Sequence, residues 1–278
     1  MDCIHFLENK QHSQLAEEFT AITEGQQYKR ISNPDWHDWQ GTRLFTYFTG
    51  QNLYRTRWLA DGGSRIDLRT QWGLDNMSDT RFFEQDNKLF LTFCRKVSEG
   101  VVRVFVAQIK PTIEAPVEAD YNRQERVEKN WAFYTTGGVE YCLYSVNPLT
   151  VLVKMDGYPW KYKHHYEGPN LQGEWGIGSQ LQQTEEGKWG FMVNRRYKHK
   201  GKKAYVGVYA ELQHKDNIIE LQIGNKYYGH SFSTYLGKER PIGNLLGLTY
   251  FSGAGLIEGK FCTSYGINDR GVGFAELN

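Results

Sequence analysis

The sequence shows no excess of charge of either sign and no long apolar run. Lysine and arginine total 33 against 32 aspartate and glutamate residues, so the net charge is +1. A chain this close to neutral has no global electrostatic attraction to nucleic acid or to a membrane surface, and we expect neither partner. No apolar run approaches the roughly 18 residues that a membrane helix requires. The sequence therefore predicts no membrane span.

Cysteine is scarce as well, with four residues in all and no CxxC spacing. Three of the four, Cys94, Cys142 and Cys262, lie inside apolar runs, whereas Cys3 does not. This usage is typical of reduced core residues in an intracellular protein. The opening MDCIHFLENKQHSQLAEEF lacks the basic and apolar regions of a signal peptide. We expect a cytoplasmic protein.

Proline is rare, with seven residues, whereas aromatic residues make up 15% of the chain and glycine contributes 29 residues. Aromatic residues favour strands, and glycines at this frequency indicate many tight turns. With 40% hydrophobic residues, the chain can form a core without disulfides or metal. The composition predicts an all-β protein.

Short strands that follow a Gly or Asn turn recur along the chain, for example "GTRLFTYF", "NKLFLTF", "GGVEYCLYS", "GKWGFMV" and "GKFCTSYG". Aligning them on Arg43, Lys88, Val139, Lys188 and Lys260 gives separations of 45, 51, 49 and 72 residues. The segment "NIIELQIGNKYYG" in the last interval can supply extra strands. A unit of this length with about four strands is typical of a propeller blade.

The prediction is thus a five-bladed β-propeller that forms a single domain over residues 31–278. Residues 1–30 are predicted to be an N-terminal helical extension, because residues 11–25 carry the apolar spacing of one amphipathic helix. A β-sandwich, or two stacked sandwiches, is the alternative, since its turns also recur at short intervals.

In a propeller, polar residues at the ends of the inner strands converge from distant parts of the chain. Four clusters precede or end the repeated strands: Arg55 and Arg57, then Asp79 and Arg81, then Glu128, Lys129 and Asn130, and finally Tyr265, Asn268, Asp269 and Arg270. Taken singly, each cluster is compatible with turn chemistry or with a surface ion pair.

Three segments together resemble the inverting β-mannoside phosphorylases and the related β-mannosyltransferases, which are five-bladed propellers. "SDTRFF…NKLFLTF" resembles their Glu-Asp-Pro-Arg segment and the Gly-Lys-Leu-Tyr strand after it. "VEKNWAFY…YCLYSVNP" and "YFSGAGLIEGKFCTSYGINDR" resemble two later segments, in the same order, across roughly residues 40–278. The chain departs from the pattern in three places: Thr80 replaces the usual Pro, Ser78 replaces the usual Glu, and Ala132-Phe133-Tyr134 stands where Pro-Phe is common.

The resemblance implies roles for individual residues. Asp79 matches the catalytic acid, and Lys129 with Asn130 matches positions beside the phosphate site. Asp269 matches the residue that holds the sugar hydroxyls in the innermost subsite. The remaining sugar-binding candidates are Arg55, Glu128, Trp131, Tyr265 and Asn268.

The balance of charges in these clusters points to phosphate chemistry. A glycosidase ordinarily needs two carboxylates, whereas a phosphorylase needs one, because phosphate is already anionic and must be held by cations. Cations prevail here, and the candidates for phosphate or donor binding are Arg57, Arg81, Lys129, Asn130 and Arg195, with the neighbouring Arg196 as an alternative to Arg195. Five tryptophans could offer flat faces to a sugar: Trp58, Trp72, Trp131, Trp160 and Trp175.

The predicted function is glycosyl transfer, with a mannosyl group as the default, between a sugar phosphate or nucleotide sugar and a glycan acceptor. No metal-ligand spacing occurs, and no cofactor or metal is expected. Two alternatives stay open. One is an inverting hydrolase with Glu128 or Asp269 as the base. The other is a non-catalytic carbohydrate-binding propeller, which the Thr80 departure keeps open.

The most basic stretch is "NRRYKHKGKKAYVG", residues 194–207. A nucleic-acid patch would need more interleaved aromatic residues than Tyr197 and Tyr205. The stretch is better interpreted as a hairpin with Gly201 at its tip.

Overall fold

The computed structural model describes residues 4–24, 30–51, 54–61, 63–215, 218–236 and 245–277. The chain begins with strand β1 (Ile4–Phe6), a 3-10 helix (Leu7–Asn9) and helix α1 (Ser13–Thr23). Strands dominate the rest. None of the helices in the described ranges is both long and apolar enough to cross a bilayer.

The first two blades are four-stranded antiparallel sheets. Blade one comprises β2 (Arg30–Trp39), β3 (Thr42–Gln51), β4 (Tyr54–Asp61) and β5 (Ser64–Asp67), followed by helix α2 (Leu68–Trp72). Blade two comprises β6 (Met77–Gln85), β7 (Lys88–Ser98), β8 (Val101–Lys110) and β9 (Val117–Glu118).

The third blade adds a short parallel strand to four antiparallel ones. It comprises β10 (Asp120–Tyr121), β11 (Ala132–Thr136), β12 (Val139–Val146), β13 (Leu149–Lys154) and β14 (Lys161–Glu167). In blade four, two short strands pair with one edge of a long hairpin. Its strands are β15 (Glu174–Ile177), β16 (Gln182–Glu185), β17 (Lys188–His199), β18 (Lys202–Lys215) and β19 (Ile218–Gly229).

Helix α3 (Phe232–Leu236) leads from blade four towards blade five. Blade five comprises β20 (Leu245–Ile257), β21 (Lys260–Ile267) and β22 (Gly271–Glu276). Strand β20 also pairs in parallel with β18, so the last two blades are hydrogen-bonded to each other.

Five apolar clusters fill the spaces between successive blades, and each contains buried residues from two neighbouring blades. The cluster between blades five and one also takes up Leu15 and Phe19 of α1, and there Phe45 lies 6.1 Å, centroid to centroid, from Phe274. The inner strand β2 contacts both β6 and β20. These contacts run through all five blades and return to the first. The predicted five-bladed propeller is confirmed, and the sandwich alternative does not fit this arrangement.

The aligned repeat positions all fall at or next to the start of a strand, which is the second of its blade in blades one, two and five and the third in blades three and four. The long last interval has a local cause. It contains the long strands β17, β18 and β19, of 12, 14 and 12 residues, and β19 contains most of the predicted extra segment.

The N-terminal residues are more than a helical extension. The predicted helix is present as α1, but β1 before it pairs in parallel with β19 of blade four. Gln11 bridges Ala275 of blade five, and the His12 amide donates to the Phe274 carbonyl at 2.9 Å. The segment predicted as an appendage thus supplies backbone partners to the last two blades.

Three of the cysteines are buried and free of disulfides, as expected: Cys94, Cys142 and Cys262. Cys3 lies outside the described residues.

Candidate functional site

The inner strands of three blades are interrupted by β-bulges near the propeller axis. The register shifts between Ser32 and Asp35 in β2 and between Ser78 and Arg81 in β6, and β20 has a similar shift. Inside the first two bulges, Asn33 and Asp79 have positive φ angles of 48° and 53°. Asn and Asp tolerate this conformation better than other non-glycine residues, and a bulge re-aims the side chain it carries.

A pocket of about 650 Å³ lies at these bulges. Asp79 of blade two lines it together with Lys129 and Asn130, which lie shortly before β11 of blade three. Asp269, from the turn after β21 in blade five, lines the same pocket. The structure therefore brings together predicted site residues from three parts of the sequence. The Asn33 amide nitrogen lies 3.5 Å from the Asp79 carboxylate.

Two predicted arginines lie directly behind the pocket wall, almost fully buried. Arg57 donates to the carbonyl of Asn33 at 3.3 Å, and Arg81 donates to the carbonyl of Ile177 at 3.1 Å. Burial lowers the pKa of Arg57 to about 10, against the opposing attraction of nearby carboxylates. Among the described residues, Nε of both guanidiniums and Nη1 of Arg81 have no hydrogen-bond partner. Unpaired buried donors of this kind are rare and are costly unless something satisfies them.

Tyr250 connects these arginines to the predicted phosphate-binding residues, and the sequence analysis missed it. Its hydroxyl lies 3.3 Å from Nη2 of Arg81 and 3.0 Å from the amide nitrogen of Asn130, both of which donate to it. Burial raises the pKa of Tyr250, so the hydroxyl stays a neutral phenol. The sequence offered one signal, because Tyr250 is the first residue of the segment "YFSGAGLIEGKFCTSYGINDR".

Asp35 is a second residue that the sequence analysis missed. Its carboxyl group is buried and accepts the amide N–H groups of Trp36 at 2.8 Å and Phe82 at 2.6 Å. Phe82 directly follows Arg81, so this bond ties the strand that carries Asp79 to blade one. Burial raises the pKa of Asp35 to about 8, although the two amides and the charges of Arg81 and Arg57 oppose the shift. A carboxylic acid between Pro34 and Trp36 was the available signal.

Two predicted sugar-binding residues of the third cluster do not fit that role. Glu128 is buried, and its carboxylate accepts hydrogen bonds from the Trp131 indole at 3.0 Å and the Tyr144 hydroxyl at 2.9 Å. Trp131 itself is buried in the core between blades two and three. Glu128 and Trp131 bond to each other and do not line the pocket, whereas Lys129 and Asn130 between them do.

Two predicted sugar ligands of the last cluster are structural as well. Tyr265 is fully buried against Phe251, with its ring centroid 5.5 Å away. Asn268 is fully buried and accepts the Leu248 amide at 2.8 Å. Neither of these two side chains is among the residues that line the pocket. Arg270, the last member of the cluster, is exposed and also lies outside the pocket lining.

Of the two adjacent arginines in β17, the predicted Arg195 faces away from the pocket and its neighbour Arg196 lines it. Arg195 stacks on the rings of Trp175 and Tyr227, 4.9 and 5.4 Å from the centroids. Successive side chains of a strand point to opposite faces, so a choice between two adjacent arginines is a choice of face. The side chain of Arg55, at the start of β4, lies outside the described part of the structure.

The departure at Thr80 has a structural explanation. Its side chain is fully buried, and its hydroxyl lies 3.0 Å from that of Thr46 in blade one. Thr80 therefore faces away from the pocket, whereas Ser78 lines it. Of the five candidate tryptophans, Trp175 lines the pocket. No group of three or more His, Cys, Asp or Glu side chains in the described ranges could hold a metal ion. That the site works without a metal or cofactor stays a prediction.

No protein-family model and no curated protein matches the sequence. Solved structures do match. The chain is similar to a β-1,2-mannobiose phosphorylase of Listeria innocua, solved with β-1,2-mannobiose, at a TM-score of 0.62 and 13% identity, covering 92% of this chain and 91% of that one. A glycosyl hydrolase of Bacteroides ovatus matches at a TM-score of 0.62 and 11% identity, covering 90% and 85%.

A third similar structure is an α-L-arabinofuranosidase of Lactobacillus brevis, at a TM-score of 0.58 and 7% identity, covering 90% of this chain and 91% of that one. These matches extend over nearly the whole of each chain. They show that the protein has the propeller fold of a class of glycoside hydrolases and phosphorylases.

Proposed function

We propose that the protein is a carbohydrate-active enzyme that transfers a glycosyl group, mannosyl by default, between a phosphate-linked donor and a glycan acceptor with inversion. One observation carries this proposal. Asp79 shares a single pocket with Lys129 and Asp269, although the three residues lie far apart in the sequence. The names of the similar structures, which include a mannobiose phosphorylase, add support.

Asp79 is the proposed proton-transfer residue. In phosphorolysis, its carboxylic acid gives a proton to the glycosidic oxygen as the bond to the anomeric carbon breaks. A phosphate oxygen forms the new bond to that carbon from the opposite face. In the synthetic direction, the Asp79 carboxylate takes the proton of the acceptor hydroxyl while the phosphate leaves, because an acid in one direction is a base in the other.

The phosphate would be held by Lys129 and Asn130. Lys129 is exposed to the pocket and pairs with no acidic side chain of the described residues. Arg57 and Arg81 lie behind the wall and add positive charge, which favours a bound anion and the charge that develops on it. Asp269 would accept hydrogen bonds from the sugar hydroxyls. None of these roles requires a cofactor.

The test is a comparison of Asp79→Asn with Asp86→Asn. Asp86 is exposed, lies in the turn directly after β6 and has a similar φ of 51°, so the two substitutions are conformationally matched. Purified protein is given mannose 1-phosphate or GDP-mannose with oligosaccharide acceptors, and mannobiose with inorganic phosphate, while released phosphate, GDP or mannose 1-phosphate is measured. Asp79→Asn should lower turnover about 10²–10⁴-fold, and Asp86→Asn should not change it. Full activity in a folded Asp79→Asn protein would refute the proton-transfer role.

The position of Asp269 favours a second candidate, an inverting hydrolase. Of the other carboxylates in the described lining, Glu174 is engaged by Arg196 and by Lys198, the latter at 2.6 Å. An inverting hydrolase needs a second carboxylate in the pocket of Asp79, and Asp269, which lines that pocket, would be the base that activates water. Glu128, the other base considered, is buried outside the pocket. Release of free mannose that is independent of phosphate and is lost in Asp269→Asn would favour hydrolysis. Saturable sugar binding without turnover of any donor would favour a non-catalytic carbohydrate-binding protein.

A further inference from the structure

The hairpin of β17 and β18 presents one polar face to the pocket from floor to tip. In its register, Asn194 is opposite Gly207, Arg196 is opposite Tyr205 and Lys198 is opposite Lys203. Directly opposed residues and every second residue along a strand share a face. Four members of this face line the pocket: Asn194, Arg196, Lys203 and Tyr205. The stretch predicted as a simple hairpin, with Gly201 at a φ of 76°, is therefore also a pocket wall.

The outer half of this face carries more positive charge than its surroundings neutralise. Glu174 is the acidic partner of Arg196 and of Lys198. Lys203 forms no ion pair with any residue that the structure describes, and it lies directly opposite Lys198 in the register. Like charges placed directly opposite each other across two strands are destabilising. Among the residues that the structure describes, no second carboxylate pairs with the hairpin tip, which is the pattern expected where a ligand supplies the missing negative charge.

The inner wall differs from the mouth. At the floor, Asn194 is buried and its amide bonds with the backbone of Phe251, so it is fixed by the protein itself. The positive charges near Asp79 are those of Lys129 and, behind the wall, Arg57 and Arg81. The Arg196 and Lys203 cations come instead from a different blade and a different wall of the same pocket.

We propose that the pocket mouth is a second anion subsite, formed by Lys203 and Arg196. It would hold a phosphate or carboxylate that the substrate carries beyond the reacting sugar and its first phosphate. Tyr205, hydrogen-bonded to Arg196, provides a flat face beside it. The proposal deepens the proposed function and rests on it for the position of the reacting sugar. Two sources share this chemistry: the second phosphate of a diphosphate-linked donor, and an acidic group on the glycan acceptor.

The experiment measures binding by calorimetry for the wild type, Lys203→Gln and Lys202→Gln. Lys202 is the adjacent hairpin residue, so its exposed side chain points to the opposite face and gives a control of equal charge. The probes form two pairs: mannose 1-phosphate with GDP-mannose, and neutral mannobiose with a mannuronic acid disaccharide. In at least one pair, Lys203→Gln should weaken binding of the probe with the additional acidic group about tenfold, because a hydrogen bond to a charged group is lost. Its effect on the other member should stay within about twofold.

Loss of GDP-mannose affinity alone would identify the donor diphosphate as the source, and loss of affinity for the acidic disaccharide alone would identify the acceptor. The tenfold difference should shrink as salt is added, because this mouth is open to solvent. The subsite is overturned if Lys203→Gln affects the binding of all four probes no more than Lys202→Gln does. It is also overturned if the wild type binds GDP-mannose no more tightly than mannose 1-phosphate and the mannuronic acid disaccharide no more tightly than mannobiose. The Asp79→Asn assay reports separately on proton transfer, so either proposal can fail while the other stands.

Discussion

Replacing Asp35 with asparagine should change how the stability of the protein depends on pH. The Asp35 carboxyl is 2% exposed and accepts two backbone N–H groups, one from its own strand and one from blade two. Burial raises its pKa to about 8. In the unfolded chain, an aspartic acid has a pKa of about 4. Asparagine has nearly the same shape and does not titrate.

The direction in which stability changes with pH follows from the pKa values of Asp35 in the folded and unfolded states. Because the pKa of Asp35 is higher in the folded state, the folded protein binds more protons between about pH 4 and pH 8, and its free energy of unfolding falls as the pH rises through that range. Each pH unit within the range is worth at most about 1.4 kcal/mol. From about pH 5 to about pH 7, the wild type should therefore lose roughly 3 kcal/mol relative to Asp35→Asn.

Urea unfolding of the wild type and Asp35→Asn at a series of pH values measures this difference. Asp38→Asn controls for loss of a carboxylate from the same strand, since Asp38 is exposed and pairs with Arg43 at 2.7 Å. The reasoning is refuted if the wild type gains stability over Asp35→Asn as the pH rises. That result would mean that Asp35 is ionised in the folded protein and that its attraction to Arg57 and Arg81 outweighs its burial.

Two further predictions concern packing and a buried histidine. A Cβ atom at Gly207 would lie 2.0 Å from the ring of Phe251, so Gly207→Ala should lower the free energy of unfolding by about 1–3 kcal/mol in thermal melts. Gly176→Ala is the control, because a Cβ atom at Gly176 would have no atom within 4 Å. Equal melting temperatures for the two variants would contradict the close packing of blades four and five. His214 is buried with its ring nitrogen 3.0 Å from the Tyr134 hydroxyl, and burial lowers its pKa. The stability that this histidine contributes should therefore be lost as the pH falls below about 6.5. Urea unfolding at about pH 5 and pH 7 should show a smaller loss of stability on acidification for His214→Phe than for the wild type. An equal loss in both proteins would exclude His214 as its cause.

The blade architecture could be predicted from the sequence because each blade repeats the same local pattern of turn and strand residues. Whether a turn residue followed by an apolar run, such as those after Lys88 and Val139, forms a turn and a strand depends on residues that are close in the sequence. The same holds for the hairpin tip at Gly201. These features need no knowledge of distant contacts, and the structure has them where the sequence places them.

The roles of individual side chains depend on which face of a strand is inside, and the sequence leaves this undecided. Arg195 and Arg196 are chemically identical, yet one stacks on aromatic rings and the other lines the pocket. Glu128 and Lys129 are also adjacent in the sequence, yet Glu128 is buried and Lys129 lines the pocket. Asp35 was overlooked because its importance comes from Phe82, in another blade, and such contacts between distant residues leave no local pattern.

The pairing of the first described residues with the last two blades has a consequence for how the molecule is made. Gln11 leaves the ribosome well before its partner Ala275, because the two residues are 264 positions apart in the sequence. Contacts between such distant parts of a chain form slowly, because a long loop must first be closed. Until then, the edge of β22 stays open to strands of other molecules, and any helper that shields nascent chains would have most to protect at that edge.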